Sequence, residues 1–204
     1  TERTKTFWNR KIVKCSTPTT KEGYIWRDYH KTDMRRYHVP CPHCGNYQPM
    51  VFGQLKFPHD ERDQQAILDE KKAWYECAYC DGHITDRHKQ QMLESGVWAP
   101  EDAVIDEKGN IKGGLPVVSR VGFWLNALYS PWLTFSDIAS KFLASKDDPA
   151  KLMNFVNSWL AEPFDEKEKE TDADDLRRLC VDYQEGVVPD PVCVLTGAVD
   201  VHHE

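Results

Sequence analysis

The sequence predicts an α+β fold in which a ribbon of short strands, built around four cysteines, is joined to a helical segment. Two Cys-x-x-Cys pairs stand beside short runs of alternating apolar residues, as in small metal-bound ribbons. Residues 86–164 contain the three- and four-residue apolar spacing of helices. Because 40% of the 204 residues are hydrophobic, the chain can bury a core.

Composition and charge exclude several classes of protein. The formal net charge of -7 excludes a surface built throughout to coat nucleic acid, but it leaves room for a local basic site. No run approaches the roughly 18 apolar residues of a membrane span, and the first residues lack the apolar core of a signal peptide. We therefore predict a protein of the reducing cytoplasm without membrane contact.

The first half of the chain predicts short elements. Residues 11–15 are partly β-branched and predict a strand, which ends in a loop because Pro18 removes a backbone donor. Apolar spacing over residues 22–31 predicts one or two helical turns. Between the cysteine pairs, alternating apolar residues at 50–57 predict short strands, and the charged run at 59–72 predicts a helical or mobile insertion.

The region after the second cysteine pair mixes helix and loop signals. Thr85 is placed to cap a helix over residues 86–95. Residues 104–117 are rich in turn-forming residues and predict a polar loop or hairpin. The aromatic run at residues 123–132 is expected in a core or at a domain interface.

Two further helices are predicted from their caps. Thr134, with Asp137 three residues later, forms a start that resembles a capping box. Asp148 is placed as the cap and Pro149 as the first residue of the next helix, which Pro163 ends. The buried face of this helix is formed by Leu152, Phe155, Val156, Trp159 and Leu160.

The end of the sequence changes character twice. Residues 165–191 begin with a run too charged to pack and predict a solvated linker. Residues 192–201 have the nearly continuous apolar character of a buried strand. Because a strand near each end lacks its partners, we expect the sequence to be a piece of a longer chain.

The two Cys-x-x-Cys pairs predict one structural zinc site. Each pair can form a tight knuckle, and the proline and glycine around the first pair supply its turn chemistry. Four thiolates close a tetrahedral shell without an open position, so the ion would fold the ribbon rather than activate water. An odd number of cysteines, seven, also favours metal ligation over a disulfide framework. The predicted ligands are Cys41, Cys44, Cys77 and Cys80.

Alternatives to this shell stay open from the sequence. His43 or His83, which lie next to the pairs, could replace one cysteine as a ligand. An iron–sulfur cluster also fits four cysteines, whereas a redox Cys-x-x-Cys motif usually comes singly in a βαβ unit. The least specific interpretation of the two pairs is that they are four unrelated buried cysteines. The other cysteines are predicted to be buried apolar residues: Cys15, Cys180 and Cys193.

Four separated motifs follow one another along the chain. They are RRYHVPCPHCG at residues 35–45, GFWLNALYSPW at 122–132, FVN at 155–157 with EP at 162–163, and TGAVD at 196–200. In this order they resemble the lambda-type large terminase subunit family, from about residue 11 to the end of the sequence. Members of that family carry an N-terminal ATPase that drives DNA into a procapsid and a C-terminal RNase H-like nuclease that cuts the concatemer.

The resemblance implies a division of the chain into five parts. Residues 1–36 would be the edge of the ATPase domain, 37–85 a zinc ribbon with an insertion, 86–164 a helical connector, 165–191 a charged linker, and 192–204 the first nuclease strand. The α+β fold would then be flanked by incomplete pieces of an α/β ATPase domain and an RNase H-like nuclease domain.

The resemblance also implies roles for single residues. An ATPase coupling motif, which senses the γ-phosphate at a strand end, would contain Ser16, Thr17 and Thr19. Asp200 would be the first carboxylate of a nuclease site that holds two divalent ions. Two basic residues are candidates for contact with the DNA backbone: Arg35 and Arg36.

The chain contains neither a G-x-x-x-x-G-K-[ST] phosphate loop nor the other expected nuclease carboxylates, so we expect it to be inactive alone. Its own cofactor would be structural Zn²⁺, while Mg²⁺ and ATP would bind only in the parent protein. The implied partners are the rest of the large subunit, double-stranded phage DNA, the terminase small subunit and the portal, in the cytoplasm of the bacterial host.

A stand-alone zinc-ribbon module that binds nucleic acid or a partner protein is the alternative function. Unpaired strands near both ends of the sequence disfavour it. A zinc-dependent hydrolase is excluded because an all-cysteine shell leaves no position for substrate or water.

Overall fold

The computed structural model describes residues 5–114 and 119–165, together with residues 187, 188 and 190. Within these residues the helices are α1 (Tyr24–Tyr29), α2 (Gln64–Asp69), α3 (Asp86–Glu94), α4 (Phe135–Leu143) and α5 (Pro149–Asn154). The strands are β1 (Arg35–Pro40), β2 (Tyr47–Pro49), β3 (Leu55–Lys56), β4 (Trp74–Glu76), β5 (His83–Ile84), β6 (Val97–Ala99), β7 (Ala103–Ile105), β8 (Ile111–Gly113) and β9 (Phe123–Trp124). The fold of the described part is therefore mixed α/β.

Several predictions fall on parts of the chain that the structure does not describe. These are most of the linker at 165–191, the strand at 192–201, Asp200, Cys180 and Cys193. None of the helices in the described part is both long and apolar enough to cross a membrane.

Strand β1 is the centre of the main sheet. It pairs antiparallel with β2 and β6 and parallel with β9. Sequence reasoning missed β1 and treated its first residues only as a basic stretch. The signal was the alternation that places apolar Tyr37 and fully buried Val39 among polar neighbours.

Two smaller sheets complete the strands of the described part. Strands β3, β4 and β5 form an antiparallel sheet between and after the cysteine pairs, as the alternation at 50–57 partly predicted. Strands β7 and β8 form a hairpin in which Ile105 faces Ile111. This confirms the hairpin predicted within residues 104–117.

The predicted helix caps are confirmed. The Thr134 hydroxyl accepts a hydrogen bond from the backbone N–H of Asp137 (3.1 Å), while the Asp137 carboxylate accepts one from the N–H of Thr134 (2.7 Å). The Asp148 carboxylate accepts hydrogen bonds from the N–H groups of Ala150 (3.0 Å) and Lys151 (3.2 Å). Each cap satisfies donors that the first helical turn leaves free.

The helix predicted to run through Leu160 differs in its last turns. After α5 the chain continues as a wider π-type turn over Phe155–Trp159, and Ala161 has a left-handed φ of 53°. The Trp124 indole N–H donates to the carbonyl oxygen of Ala161 (2.7 Å), which fixes this ending. Phe155 and Leu160 are buried, as predicted for the apolar face.

Two predictions about the start of the chain are wrong. Residues 11–15 form no strand, because within the described part of the chain no other strand pairs with them, and the Val13 side chain is 89% exposed. Cys15 is exposed as well, so its predicted burial does not occur.

The core joins the cysteine region to the second half of the described chain. Helix α4 packs against α2 and against strands β3 and β4, and the Phe135 and Tyr75 rings stack with centroids 5.9 Å apart. Phe135, Ile138 and Ala139 are fully buried on the inner face of α4. Each large apolar side chain buried in this way stabilises the fold by about 1.5 to 3 kcal/mol.

The aromatic run at residues 123–132 is pinned by buried hydrogen bonds. The Tyr129 hydroxyl accepts from the N–H of Met50 (2.7 Å) and donates to the carbonyl oxygen of Tyr37 (2.6 Å). The Asn126 side-chain amide donates to the carbonyl oxygen of Met50 (2.9 Å). The expectation of a core position is thus confirmed for part of the run, whereas Trp132 is 88% exposed.

Candidate metal centre

The four cysteines of the two Cys-x-x-Cys pairs lie together. Their Sγ atoms are all within 4.8 Å of one another, with 3.9 Å between Cys41 and Cys80 and 3.8 Å between Cys44 and Cys77. A tetrahedron with Zn–S bonds of about 2.3 Å has edges of about 3.8 Å. The thiols therefore have the spacing that one tetrahedral ion requires.

The first knuckle is a tight turn after β1. The N–H of Cys41 donates to the carbonyl oxygen of Asn46 (2.9 Å), and the N–H of Gly45 donates back to the carbonyl oxygen of Cys41 (2.9 Å). Gly45 has a left-handed φ of 77°, which glycine adopts without strain. The N–H of His43 points at the Cys41 sulfur (3.4 Å), so the backbone supports a thiolate there.

The second knuckle repeats this pattern after β4. The N–H of Cys77 donates to the carbonyl oxygen of Gly82 (3.1 Å), and the N–H of Asp81 donates to the carbonyl oxygen of Cys77 (3.0 Å). The N–H of Tyr79 points at the Cys77 sulfur (3.4 Å). Asp81 takes the left-handed position with a φ of 53°. The two knuckles thus present their sulfurs by the same backbone geometry.

The environment of the thiols differs across the site. Cys41 and Cys77 are buried, whereas Cys80 is exposed. Burial raises the pKa of the Cys41 thiol to about 12. Burial also acts to raise the pKa of Cys44, but hydrogen bonds from Asn46 and the neighbouring thiols outweigh it and bring the pKa to about 7. A divalent cation at the centre would favour the thiolate form of each cysteine.

The two histidines next to the knuckles have other contacts. The Nε2 atom of His43 donates to the carbonyl oxygen of His83 (2.8 Å), which ties one knuckle to the other. The His83 ring stacks on Trp74, with centroids 4.8 Å apart. Among the described residues the cluster of potential ligands contains only the four cysteines.

The closeness of the sulfurs also bears on the type of metal site. An iron–sulfur cluster needs room for several irons and bridging sulfides between its ligands. Four Sγ atoms within 4.8 Å of one another enclose space for a single ion only. The arrangement therefore fits a mononuclear site and not a cluster.

Sequence reasoning missed a polar residue beside the thiols. The Asn46 side-chain amide donates to the Cys44 sulfur (3.5 Å), and such contacts orient and stabilise metal-bound thiolates. The signal was its position directly after Gly45, where a short amide side chain can reach back into the turn.

The residues predicted to couple ATP hydrolysis are not brought to the cysteines. Ser16, Thr17 and Thr19 lie on an exposed segment, and the Ser16 hydroxyl donates to the carbonyl oxygen of Thr17 (3.0 Å). The carbonyl oxygen of Thr19 accepts from the N–H of Phe164 (3.0 Å). This segment therefore contacts Phe164 rather than the candidate metal centre.

The two arginines predicted to contact DNA are engaged within the fold. The Arg35 Nε atom forms an ion pair with the buried Asp33 carboxylate (2.7 Å). The Arg36 guanidinium lies over the Trp124 ring, 4.9 Å from its centroid. Burial raises the pKa of Glu162, and the nearby positive charge of Arg36 opposes that rise. Contact of these arginines with DNA stays a prediction.

Two family models match the chain. The family described as "Phage terminase large subunit gpA, ATPase domain" matches residues 1–98, here called the ATPase-matched stretch. The family described as "Terminase large subunit gpA, endonuclease domain" matches residues 120–204, here called the nuclease-matched stretch.

Two curated proteins are similar to the chain. The "Terminase, large subunit" of Escherichia phage lambda is 28% identical over 172 residues, which cover 81% of this chain and 26% of that protein. The "Terminase, large subunit" of Enterobacteria phage P21 is 29% identical over 174 residues, with the same two coverages of 81% and 26%. No solved structure matches the chain.

Proposed function

We propose that this chain, which belongs to the lambda-type phage terminase large subunit family, acts as a zinc-braced connector between the motor and the nuclease of such a protein. The whole protein would package phage DNA by ATP-driven translocation and cut it into genome units. The chain spans 26% of the length of the two curated relatives. We therefore propose these activities for the whole protein and not for this chain alone.

One observation carries the connector role: the two family matches share a single sheet. Strand β1 lies in the ATPase-matched stretch and β9 in the nuclease-matched stretch, and Arg36 pairs in register with Trp124. Both strands belong to one compact unit. A joint of this kind can transmit force because neither part moves without breaking the sheet.

Further contacts across the same joint support the proposal. The Asp86 carboxylate accepts from the N–H of Phe135 (2.8 Å), and the Ser136 hydroxyl accepts from the N–H of Ala73 (3.2 Å). Asp33, which is buried, accepts from the N–H of Gly122 (3.2 Å). A separable zinc-ribbon module would not be expected to share its core with a second domain.

A coupling role for the segment with Ser16, Thr17 and Thr19 fits this joint. Besides the bond from Phe164 to Thr19, Lys21 forms an ion pair with Asp165. A change in this segment during ATP hydrolysis would therefore act directly on residues 164 and 165 of the nuclease-matched stretch. We further propose that Asp200 belongs to the nuclease site and that ATP and Mg²⁺ bind only in the parent protein.

Zinc is the metal that the donor set favours. Four thiolates at tetrahedral spacing select zinc over the hard cations, which prefer oxygen ligands. The ion would offset part of the negative charge of the thiolates and fix both knuckles, and the proposed partners of the whole protein are DNA, the small subunit and the portal. Arg35 and Arg36 stay the proposed DNA contacts of this chain.

The connector role is tested at Gly122. An alanine Cβ there would collide with the Thr32 hydroxyl and lie 2.9 Å from the Tyr29 ring, so the backbone at Gly122 or the segment after α1 must shift. The Gly122 carbonyl oxygen accepts from the N–H of Arg35 (2.8 Å), so this shift would disturb the pairing of β9 with β1. We expect Gly122→Ala to raise amide hydrogen exchange in β1 and β9 together. Gly53→Ala is the matched control, because a Cβ at Gly53 meets nothing within 4 Å. Increased exchange in β9 alone would contradict a shared joint.

The zinc assignment is tested separately by elemental mass spectrometry on protein purified without added metal. We expect one zinc per chain and a lower melting temperature after chelation. Absence of metal, with unchanged melting, would remove zinc from the proposal and leave the connector role to the Gly122 test.

A further inference from the structure

The two knuckles differ at the position directly after their first cysteine. In the first knuckle this residue is Pro42, which has no backbone N–H. In the second it is Ala78, which has one. The remaining knuckle hydrogen bonds correspond, since in each turn the N–H two residues after the first cysteine points at its sulfur and the N–H four residues after it donates to its carbonyl oxygen.

The extra N–H of the second knuckle is bound by a side chain from the first half of the site. The Oε1 atom of Gln48 accepts from the N–H of Ala78 (2.8 Å). Gln48 lies in β2, the strand that follows the first knuckle, and it is only 2% exposed. The Ala78 side chain is exposed, whereas the Gln48 side chain that its N–H meets is buried.

The other end of the Gln48 side-chain amide is unfavourably placed. Within the described part of the chain its Nε2 atom is buried and has no hydrogen-bond partner. A buried amide that leaves one donor unpaired is unfavourable compared with an apolar side chain of similar size. The hydrogen bond from Ala78 therefore explains why a glutamine, rather than an apolar residue of similar size, occupies this position.

We propose that Gln48 is a positioning residue of the metal centre, which does for the second knuckle what Pro42 does for the first. It holds the turn between Cys77 and Cys80 at the orientation that the other two sulfurs require. Because β2 directly follows the first knuckle in the chain, Gln48 also links the two halves of the site across a long separation in sequence. This inference rests on the proposed zinc site.

The test compares zinc affinity in four proteins: wild type, Gln48→Met, Ala78→Pro and the double variant. Affinity is measured by competition with a chromophoric chelator, and the ligand geometry is followed by the absorption of the Co²⁺-substituted protein. Gln48→Met keeps the side-chain volume but leaves the Ala78 N–H unbound. We expect it to lower zinc affinity by about 10-fold or more, as is typical for outer-shell partners.

Rescue distinguishes positioning from simple packing. Ala78→Pro removes the N–H, as Pro42 does naturally, so the Gln48→Met change should cost less than about 3-fold in that background. Gln64→Met, at an exposed position in α2, is the control and should leave affinity unchanged. Should Gln48→Met fail to fold, recovery of a folded, zinc-binding double variant would give the same support.

Two results would overturn the inference. Unchanged zinc affinity in Gln48→Met would show that the bond to Ala78 does not position the site. Equal losses with and without Ala78→Pro would assign Gln48 to packing alone. Wild-type protein without any metal would instead refute the proposed zinc site, so the two failures are separable.

Discussion

The two metal knuckles reach the same backbone geometry with different residues. The first uses Pro42 and Gly45, whose conformations suit the turn without help from the rest of the fold. The second uses Ala78 and Asp81, and it depends on Gln48 and on a left-handed non-glycine residue with a φ of 53°. The first knuckle is therefore encoded locally, and the second is completed by tertiary contacts.

The second knuckle should therefore be more sensitive than the first to changes elsewhere in the protein. A local turn tolerates changes elsewhere in the protein, whereas a turn held by tertiary contacts changes when its neighbours do. The first knuckle leads into β2, and the second leads through the short strand β5 into α3, whose Lys89 is buried at 4% exposure. We therefore expect most substitutions to affect the two knuckles differently. Loss of a zinc ligand is the exception, because both knuckles bind the same ion.

The largest effect is expected from the ligands themselves, and it should be equal in both knuckles. Cys41→Ser and Cys77→Ser each remove one of four donors, so zinc affinity should fall by more than the roughly 10- to 100-fold typical of outer-shell changes. Metal content and melting temperature report the loss. Cys15→Ser is the control, because that thiol is exposed and lies outside the cluster. A Cys77→Ser protein with full zinc would contradict the four-ligand site.

The next effect concerns pH and the helix after the second knuckle. Burial lowers the pKa of Lys89 to about 8 from 10.5, while its ammonium donates to the carbonyl oxygen of Leu133 (2.6 Å). Asp86 and Asp137 act in the opposite direction. Below pH 8 both folded and unfolded chains carry the proton, so the folded state bears the full cost of the buried charge.

Between pH 8 and 10.5 the unfolded chain binds more protons, so stability contributed by this group rises with pH. We expect zinc-bound wild type to gain up to about 3 kcal/mol relative to Lys89→Met across this range, measured by urea unfolding. The comparison cancels titrations that the two proteins share. A difference that falls with pH would show that the Lys89 pKa is not lowered.

Alanine substitutions at two glycines should distinguish backbone strain from steric crowding. An alanine Cβ at Gly82 would lie 2.7 Å from the His43 ring and 3.1 Å from the Cys80 sulfur, and we expect a loss of about 1 to 3 kcal/mol. Gly45→Ala meets nothing within 4 Å but has a φ of 77°, so the loss should be about 1 kcal/mol. Thermal unfolding with Gly53→Ala as control ranks the two. The reverse order would contradict the knuckle geometry.

The smallest effect should be a gain. Asp81→Gly relieves the left-handed φ of 53° in the second knuckle and should raise the free energy of unfolding by about 0.5 to 1 kcal/mol. Asp81→Asn, which also tolerates this conformation, should change little. Destabilisation by glycine would indicate that the Asp81 side chain makes a contact more valuable than the strain it carries.

Features encoded over a few residues could be predicted from the sequence. The cysteine pairs, the hairpin and the caps at Thr134 and Asp148 depend on neighbours within a turn or two. The same applies to the first knuckle, whose proline and glycine identify it. Local chemistry of this kind fixes both the residue types and their geometry.

Features that depend on partners distant in the sequence could not be predicted. Residues 11–15 have the composition of a strand, but a strand needs a neighbour to pair with. Strand β9 has only two residues and is defined by its pairing with β1. The contacts of His43, Arg36 and Gln48 likewise follow from packing between separated segments, which periodicity and motifs do not contain.

X-ray absorption at the zinc edge, on protein purified without added metal, is the most direct test of the metal-braced joint. We expect one zinc per chain with four sulfur neighbours at about 2.3 Å and no nitrogen or oxygen ligand. A mixed shell would mean that His43 or His83 replaces a cysteine. Absence of zinc would contradict the proposed metal site and its role in bracing the joint.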